Sequence, residues 1–454
     1  MRLRVLASAM VCGVMAVAAT ACGGGAGSDD SNDKTIKIAY QRWGAGRVMD
    51  TFLEDMKKDF EKANTGTKVE LVPIVASEND YYTKLQLMMR SPRTAPDIVR
   101  EDTFLINSDI QAGYLRPLDP YLSKWEEWDQ FEGPAKEAGK AQDGKVYGVT
   151  DGTDTRGLWY NKKIFAKAGF PVPWEPKNWD EILDAARTIK QQVPDVMPLN
   201  VFSGKAAGEA SAMQGFEMLL YGTEDTLYNP QQKKWVTGAK GFEDSLDFIK
   251  TVYGEKLGPT PKQALNKQIQ NTVSADWMPK QELAINLDGS WLPNTWLKTG
   301  AKPWPQWSKV LGTTPMPTQN GQAPGKVSLS GGWTWAIPQK SVSPDLAWKL
   351  IEQMGSKENN LRFVNENAQI AVRKDVAGEK AYLEAQPTVK FFTDLVSVTQ
   401  YRPALPEYPK ISNEIQVAME QVMTGQQQPG AAAGTYDKAV AGIVGEDKTT
   451  QRSK

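Results

Sequence analysis

The chain contains no histidine in 454 residues. This removes Ser-His-Asp and Cys-His nucleophile arrangements, His-ligated zinc and the commonest general base at neutral pH. Carboxylate-only chemistry, as in glycosidases, survives, because 54 Asp and Glu residues remain. Cysteine is nearly as scarce, with Cys12 and Cys22 alone. Cys12 lies in an N-terminal stretch expected to be removed, and a single remaining cysteine makes no internal disulfide. The fold must therefore hold by packing. Beyond that stretch no apolar run approaches the ~20 residues needed to cross a bilayer. The 53 basic residues nearly match the acids, and no clustered basic face points to a nucleic-acid partner. With no Gly-rich phosphate loop and no metal-ligand spacing, neither a cofactor nor a metal is expected.

What is present begins with an export signal. Arg2 and Arg4 form a positive start, Leu6 to Ala19 is apolar, and Ala19-Thr20-Ala21-Cys22 closes it. The close resembles a bacterial lipobox, in which the cysteine becomes the new N-terminus and carries lipid. Ala19 stands where that pattern prefers Leu. Cys22 is thus the expected lipid anchor, residues 1–21 the signal, and 22–33 a Gly-, Ser- and Asp-rich tether reaching roughly 20 Å. The working part is placed on the outer face of the cell membrane. Removing 1–21 takes two arginines with it and leaves a small net negative charge on a length suited to two lobes.

Strand and helix signals alternate along the rest. Thr35–Tyr40 reads as a strand, and Met49, Phe52, Leu53, Met56 and Phe60 fall at helical spacing. Lys68–Val72 reads as a strand, and Ser77 with Asp80 opens a helix to Met89 as a weak capping box. A short strand Asp97–Arg100 is followed by a helix from Phe104 to Ala112, stopped by Gly113. Asn178 caps a helix carrying Trp179, Ile182, Leu183, Ala186 and Ile189 on one side. Ser343-Pro344 starts another, with Leu346, Ala347, Leu350, Ile351 and Met354 in one stripe. The class is α/β.

Tryptophan is abundant, fifteen in all. Trp291, Trp296, Trp304, Trp307, Trp333 and Trp335 crowd one region between glycines and prolines. Aromatics carried in loops are candidates for a ligand platform. Trp335 reads as core.

Four stretches resemble the extracellular solute-binding proteins of bacterial ABC importers, in the branch that binds maltose, trehalose and other oligosaccharides. They are Trp43 to Leu87; Ala95-Pro96-Asp97-Ile98-Val99 with Ala112 to Asp119; Asp143 to Val149 through Asp154 to Lys162; and Asp288-Gly289-Ser290-Trp291 with Gly331-Gly332-Trp333 and Arg402-Pro403. The resemblance implies a two-lobed periplasmic-binding-protein-like fold, each lobe discontinuous, with a ligand cleft at the hinge. Lobe one would be 34–151 plus 311–374 and lobe two 152–310 plus 375–454. Crossings would fall at Asp151-Gly152, Lys309-Val310 and Lys374-Asp375. It implies a non-enzymatic, monomeric receptor that delivers an α-glucosidic di- or oligosaccharide to importer membrane subunits.

A neutral sugar needs flat aromatics for its C–H faces and charged side chains for its hydroxyl pairs. Trp291 follows a turn-like opening and matches the family's stacking tryptophan. Trp333 follows Gly331-Gly332, where Gly332 lets backbone approach a ligand. Asp154 and Arg156 lie just past the proposed hinge, either as cleft groups or as a local ion pair. Asp102 sits at a strand's carboxyl end, where open α/β sheets place ligands, or serves as a helix cap. Arg42 and Trp43 follow the first strand similarly, and Glu78 and Asn79 could face the cleft from a helix start. Family matching makes Arg402 a sugar contact. Arg402 and Asp154 are expected to be dispensable for the unliganded fold. With no histidine, sugar affinity is expected to be flat between about pH 6 and 8. A carboxylate glycosidase and a polyamine-binding protein of the same architecture are the rival readings.

Overall fold

The computed structural model describes residues 34–452. The signal, tether and Cys22 lie outside the described residues. Among the described residues no helix is long and apolar enough to cross a membrane.

The first sheet opens with β1 (Thr35–Arg42), β2 (Lys68–Val75) and β3 (Ile98–Asp102), all parallel, with β1 between the other two. Helix α1 (Val48–Ala63) joins β1 to β2 and buries Phe52, Leu53, Met56 and Phe60, the apolar stripe the spacing predicts. Helix α2 (Glu78–Met89) joins β2 to β3. Ser77 precedes it, but its hydroxyl donates to the Asp80 carboxylate at 2.8 Å and makes no cap to helix backbone. The strand Gly332–Ala336 pairs antiparallel with β3, and β4 (Gly148–Thr153) closes the far edge, also antiparallel. A parallel core edged by antiparallel strands from distant sequence makes this unit discontinuous.

The second sheet contains β5 (Arg156–Asn161), β6 (Met197–Asn200) and the strands Leu283–Gly289 and Leu311–Thr314. Asn161 ends β5 and caps the following helix, Lys162–Lys167, accepting from Lys163 N at 3.0 Å. Asn178 accepts from Glu181 N at 2.9 Å and starts Trp179–Gln192 as the sequence indicates. The result is a mixed α/β, two-lobed fold.

Strand pairing corrects the expected crossings. Gly152 pairs with Trp333 inside the first sheet, so the chain leaves that sheet at Asp154-Thr155, not Asp151-Gly152. Leu311–Thr314 pairs with β5 and therefore belongs with the second sheet. The return, expected at Lys309-Val310, comes instead at Gly331, between the strands Lys326–Ser330 and Gly332–Ala336. These two crossings are laced together. Thr153 Oγ1 donates to Gly331 O, and Gly331 N donates to Asp154 Oδ1, both at 2.8 Å. Lys374-Asp375 is not a crossing either. Arg373 grips Asp375, and Tyr382 beyond it is buried with Phe52 and Phe363 of the first lobe.

Candidate functional site

A cleft of about 1340 Å3, open mouth included, runs between the two sheets. Its wall contains nine of the residues put forward from sequence as ligand contacts: Arg42, Trp43, Asp102, Asp154, Arg156, Trp291, Gly332, Trp333 and Arg402. Glu78 lines it too, whereas Asn79 lines an adjoining cavity that shares Trp43 and Glu78. The nine come from strand ends and crossings, where side chains of separated segments converge.

Trp291 follows the strand Leu283–Gly289 and is half-buried. A Cβ on Gly289 would lie 1.9 Å from its ring, so glycine is what lets the indole fold back over the strand end. The Arg156 guanidinium stands 4.7 Å from the Trp291 ring centre. Arg156 is fixed in turn by Asp154, by Gln214 Oε1 at 3.2 Å and by Leu329 O at 2.9 Å. The ion pair and the cleft position are therefore both real.

Trp333 shows the same arrangement on the other lobe. Arg100 stands 4.9 Å from its ring and is held by Asp151 at 2.8 Å. Tyr81 meets the ring edge-on at 5.9 Å. The preceding Gly332 has φ +139, and a Cβ there would meet Gly152 O at 2.6 Å, so only glycine fits this approach of strand and crossing. Trp335 is buried core. Trp296, Trp304 and Trp307 correct the platform expectation: they pack on one another at 5.5 Å and, with Trp159, form apolar core behind the cleft. Loop placement alone does not separate these packing rings from the two that face the cleft.

Arg402 is buried and lies between the lobes. It donates to Asp102 Oδ1 at 2.9 Å, to Thr103 Oγ1 at 3.1 Å and to Glu209 Oε1 at 3.2 Å. Burial opposes its charge, but the Asp102 and Glu209 carboxylates outweigh this and hold its pKa well above the ordinary value. Asp102 also accepts from Phe104 N at 3.0 Å, but the helix expected from Phe104 begins at Ile106 after Leu105, so this is a turn contact and not the helix cap. Arg42 pairs with buried Asp50 at 2.6 Å.

Two cleft carboxyls have no arginine bound to them. Asp288 accepts from Gly289 N at 2.8 Å and Asn286 Nδ2 at 3.2 Å, and burial pushes it up to about 6. Glu78 is pushed up to about 8, first by burial and then by the Asp102 and Glu209 carboxylates. These shifts bear on the expectation that sugar affinity is flat between about pH 6 and 8, which takes the cleft carboxylates to stay ionised.

Sequence reading missed Glu209, Met213, Gln214 and the Gln270–Ser274 face. Glu209 and Gln214 stand in or just before a π-helical segment, Ser211–Glu217, whose spacing matches neither the helical nor the strand period. The only local signal is the pair Gly204 and Gly208 interrupting an apolar stretch, both at positive φ.

Comparison with known proteins agrees with this architecture. The diacetylchitobiose binding protein DasA of Streptomyces coelicolor is 24% identical over 463 residues, covering 97% of this chain and 99% of its own. A Thermotoga lettingae ABC transporter solute-binding protein solved with alpha-D-tagatose superposes with a TM-score of 0.78 at 24% identity, over 90% of this chain and 99% of that one. The GacH receptor of Streptomyces glaucescens, solved unliganded and with acarbose, gives 0.77 at 20% identity, over 91% and 98%. The family model described as bacterial extracellular solute-binding protein matches residues 45–361, and the chain belongs to that family.

Proposed function

We propose that the protein is the carbohydrate receptor of an ABC importer, tethered outside the cell membrane through Cys22. It captures an uncharged di- or oligosaccharide, of α-glucosidic type, between its lobes and releases it unchanged to the membrane subunits. The observation that carries this is the pairing of an indole and a guanidinium on each side of the cleft, Trp291 with Arg156 and Trp333 with Arg100. An indole offers a flat apolar face to sugar C–H groups, and the nearby carboxylates and guanidinium groups suit adjacent hydroxyls. A polyamine is a poor match to these two rings. A second cation on either ring would meet like charge across it. The ligands named for DasA, GacH and the Thermotoga protein are carbohydrates and support a carbohydrate ligand in general.

The test is calorimetry with maltose, maltotriose, trehalose, diacetylchitobiose and spermidine, followed by chromatography of the sugars after long incubation. Binding of a sugar that is recovered intact is expected. Binding of spermidine alone would replace the reading with the polyamine one. Hydrolysis products would make the raised carboxyls Glu78 and Asp288 an acid–base pair and the protein a glycosidase. Metabolic labelling with palmitate, lost on Cys22→Ala, tests the anchor.

A further inference from the structure

Glu78 stands in the first turn of α2, at the neck joining the main cleft to the adjoining cavity. Its Oε1 lies 3.0 Å from the Tyr82 hydroxyl, and that same hydroxyl lies 2.9 Å from Asp102 Oδ2. A phenol has one proton to give. Asp102 is tied through its other oxygen to the Arg402 guanidinium and to Phe104 N, so it is the settled carboxylate and takes the Tyr82 proton. The short contact between Tyr82 and Glu78 then needs a proton from Glu78, since two bare oxygens at that distance repel.

The surroundings agree. Glu78 Oε2 is shut off from solvent and has no hydrogen-bond partner, an expensive place for a full charge. The charged groups that act on it are Asp102 on β3, Glu209 on the segment before Ser211–Glu217, and Arg402, while Asp80, Lys205 and Lys267 line the adjoining cavity it shares. Arg402 already spends its guanidinium on those two carboxylates.

We propose that Glu78 is a specificity-determining residue of the cleft, present as a neutral carboxylic acid that donates to Tyr82 and so admits an uncharged, hydroxyl-rich ligand. The inference rests on the sugar-receptor reading. A sugar hydroxyl coexists with a neutral carboxyl. A ligand ammonium would draw the proton off and bind with proton release. Ionising Glu78 adds a third carboxylate beside Asp102 and Glu209 and removes the proton it donates to Tyr82, so the neck of the cleft loses its neutral, settled arrangement.

Maltotriose is the probe, titrated calorimetrically at pH 7 and pH 9. A carboxyl with a midpoint at about 8 is roughly nine-tenths ionised at pH 9, so Kd should rise about tenfold between the two. Glu78→Gln should remove most of that ratio, whatever its affinity at pH 7. In ligand-free protein labelled with 13Cδ-glutamate, the resonance missing from Glu78→Gln should titrate at about 8. If that variant does not fold, Tyr82→Phe identifies the same resonance by shifting it. A midpoint in the ordinary carboxylate range, or a full tenfold ratio retained by Glu78→Gln, overturns the inference. If neither protein binds maltotriose or any of the other sugars named above while the midpoint stays at about 8, the sugar reading fails and the proton on Glu78 stands.

Discussion

The Arg156 guanidinium lies 4.7 Å from the centre of the Trp291 ring, and Asp154 holds that guanidinium in place from the chain crossing. One residue of the crossing therefore holds the guanidinium that stands over an indole just past the end of another strand. Because Asp154 also accepts from Gly331 N at 2.8 Å, the ring is referenced to both crossings at once. A change in the angle between the lobes would reach Trp291 through this short chain of contacts.

Trp291→Ala should weaken sugar binding by roughly 2–4 kcal/mol, the range for an aromatic anchor, while the fold survives. The ring is half-buried and lies outside the apolar clusters that contain Trp159 and Trp296. Fluorescence or calorimetric titration, with melting measured in parallel, decides the matter. A large drop in Tm with unchanged affinity per folded molecule would assign Trp291 to packing.

Gly289→Ala should reproduce that loss of affinity without touching the indole chemically. The new Cβ would sit 1.9 Å from ring carbon Cζ3, so the ring must swing away from its present place. The strain should cost about 1–3 kcal/mol of stability at most. A crystal structure of the variant should show a displaced ring, and normal affinity with a displaced ring would rule out stacking on Trp291.

Arg402→Ala should be costly to the unliganded protein, contrary to the expectation from sequence. Its removal leaves Asp102 and Glu209 facing each other in a buried site. Breaking a buried pair in this way typically costs about 3–5 kcal/mol. Asp154→Asn keeps an acceptor for Gly331 N and should cost less. Urea denaturation of the two variants tests the order, and equal stability to wild type in Arg402→Ala would show that the lobes do not depend on this clamp.

How far the sequence could reveal this arrangement differs between elements. Helix α1 was legible because Phe52, Leu53, Met56 and Phe60 repeat at the helical period and are buried for that reason. Of the nine cleft residues, Asp102, Arg42 and Trp43 were legible from strand ends, and Asp154 and Arg156 from a proposed hinge, whereas Trp291, Trp333 and Arg402 were singled out chiefly by the family resemblance. Crossing positions were not, because Leu311–Thr314 looks the same in sequence whichever sheet it joins; only its hydrogen bonds to β5 decide. Arg402 lines the cleft, but its buried ion pairs with Asp102 and Glu209 could not be read from its surroundings in sequence. Its partners lie 300 and 193 residues away, and nothing local announces them. Raised pKa values are equally invisible, since Glu78 and Glu217 become unusual only when the fold takes water from them.

Stability should be greatest near pH 5 and fall as pH rises towards 8.5. Burial pushes Glu217 up to about 8, with Glu209 adding to the effect, and Glu78 stands at about 8 as well. Asp109, beneath the cleft strand, is raised to about 7. In the unfolded chain all three lose their protons in the ordinary carboxylate range. Between that range and their folded values the native state binds more protons, so raising pH favours unfolding. Their contribution is complete below the unfolded values, declines steadily as pH rises above them, and is fully lost once pH passes the folded values of about 7 to 8. The surface carboxylates with lowered pKa, such as Asp375 beside Arg373 and Glu255 beside Arg187, act in the opposite sense only at more acid pH. Together these place the optimum near pH 5. Calorimetric Tm at pH 5.5 should exceed that at pH 8.5 by several degrees, with Glu217→Gln shrinking the gap. A Tm that is flat or rising across this interval would mean that water or structural relaxation reaches these carboxyls, and that they ionise as exposed groups do.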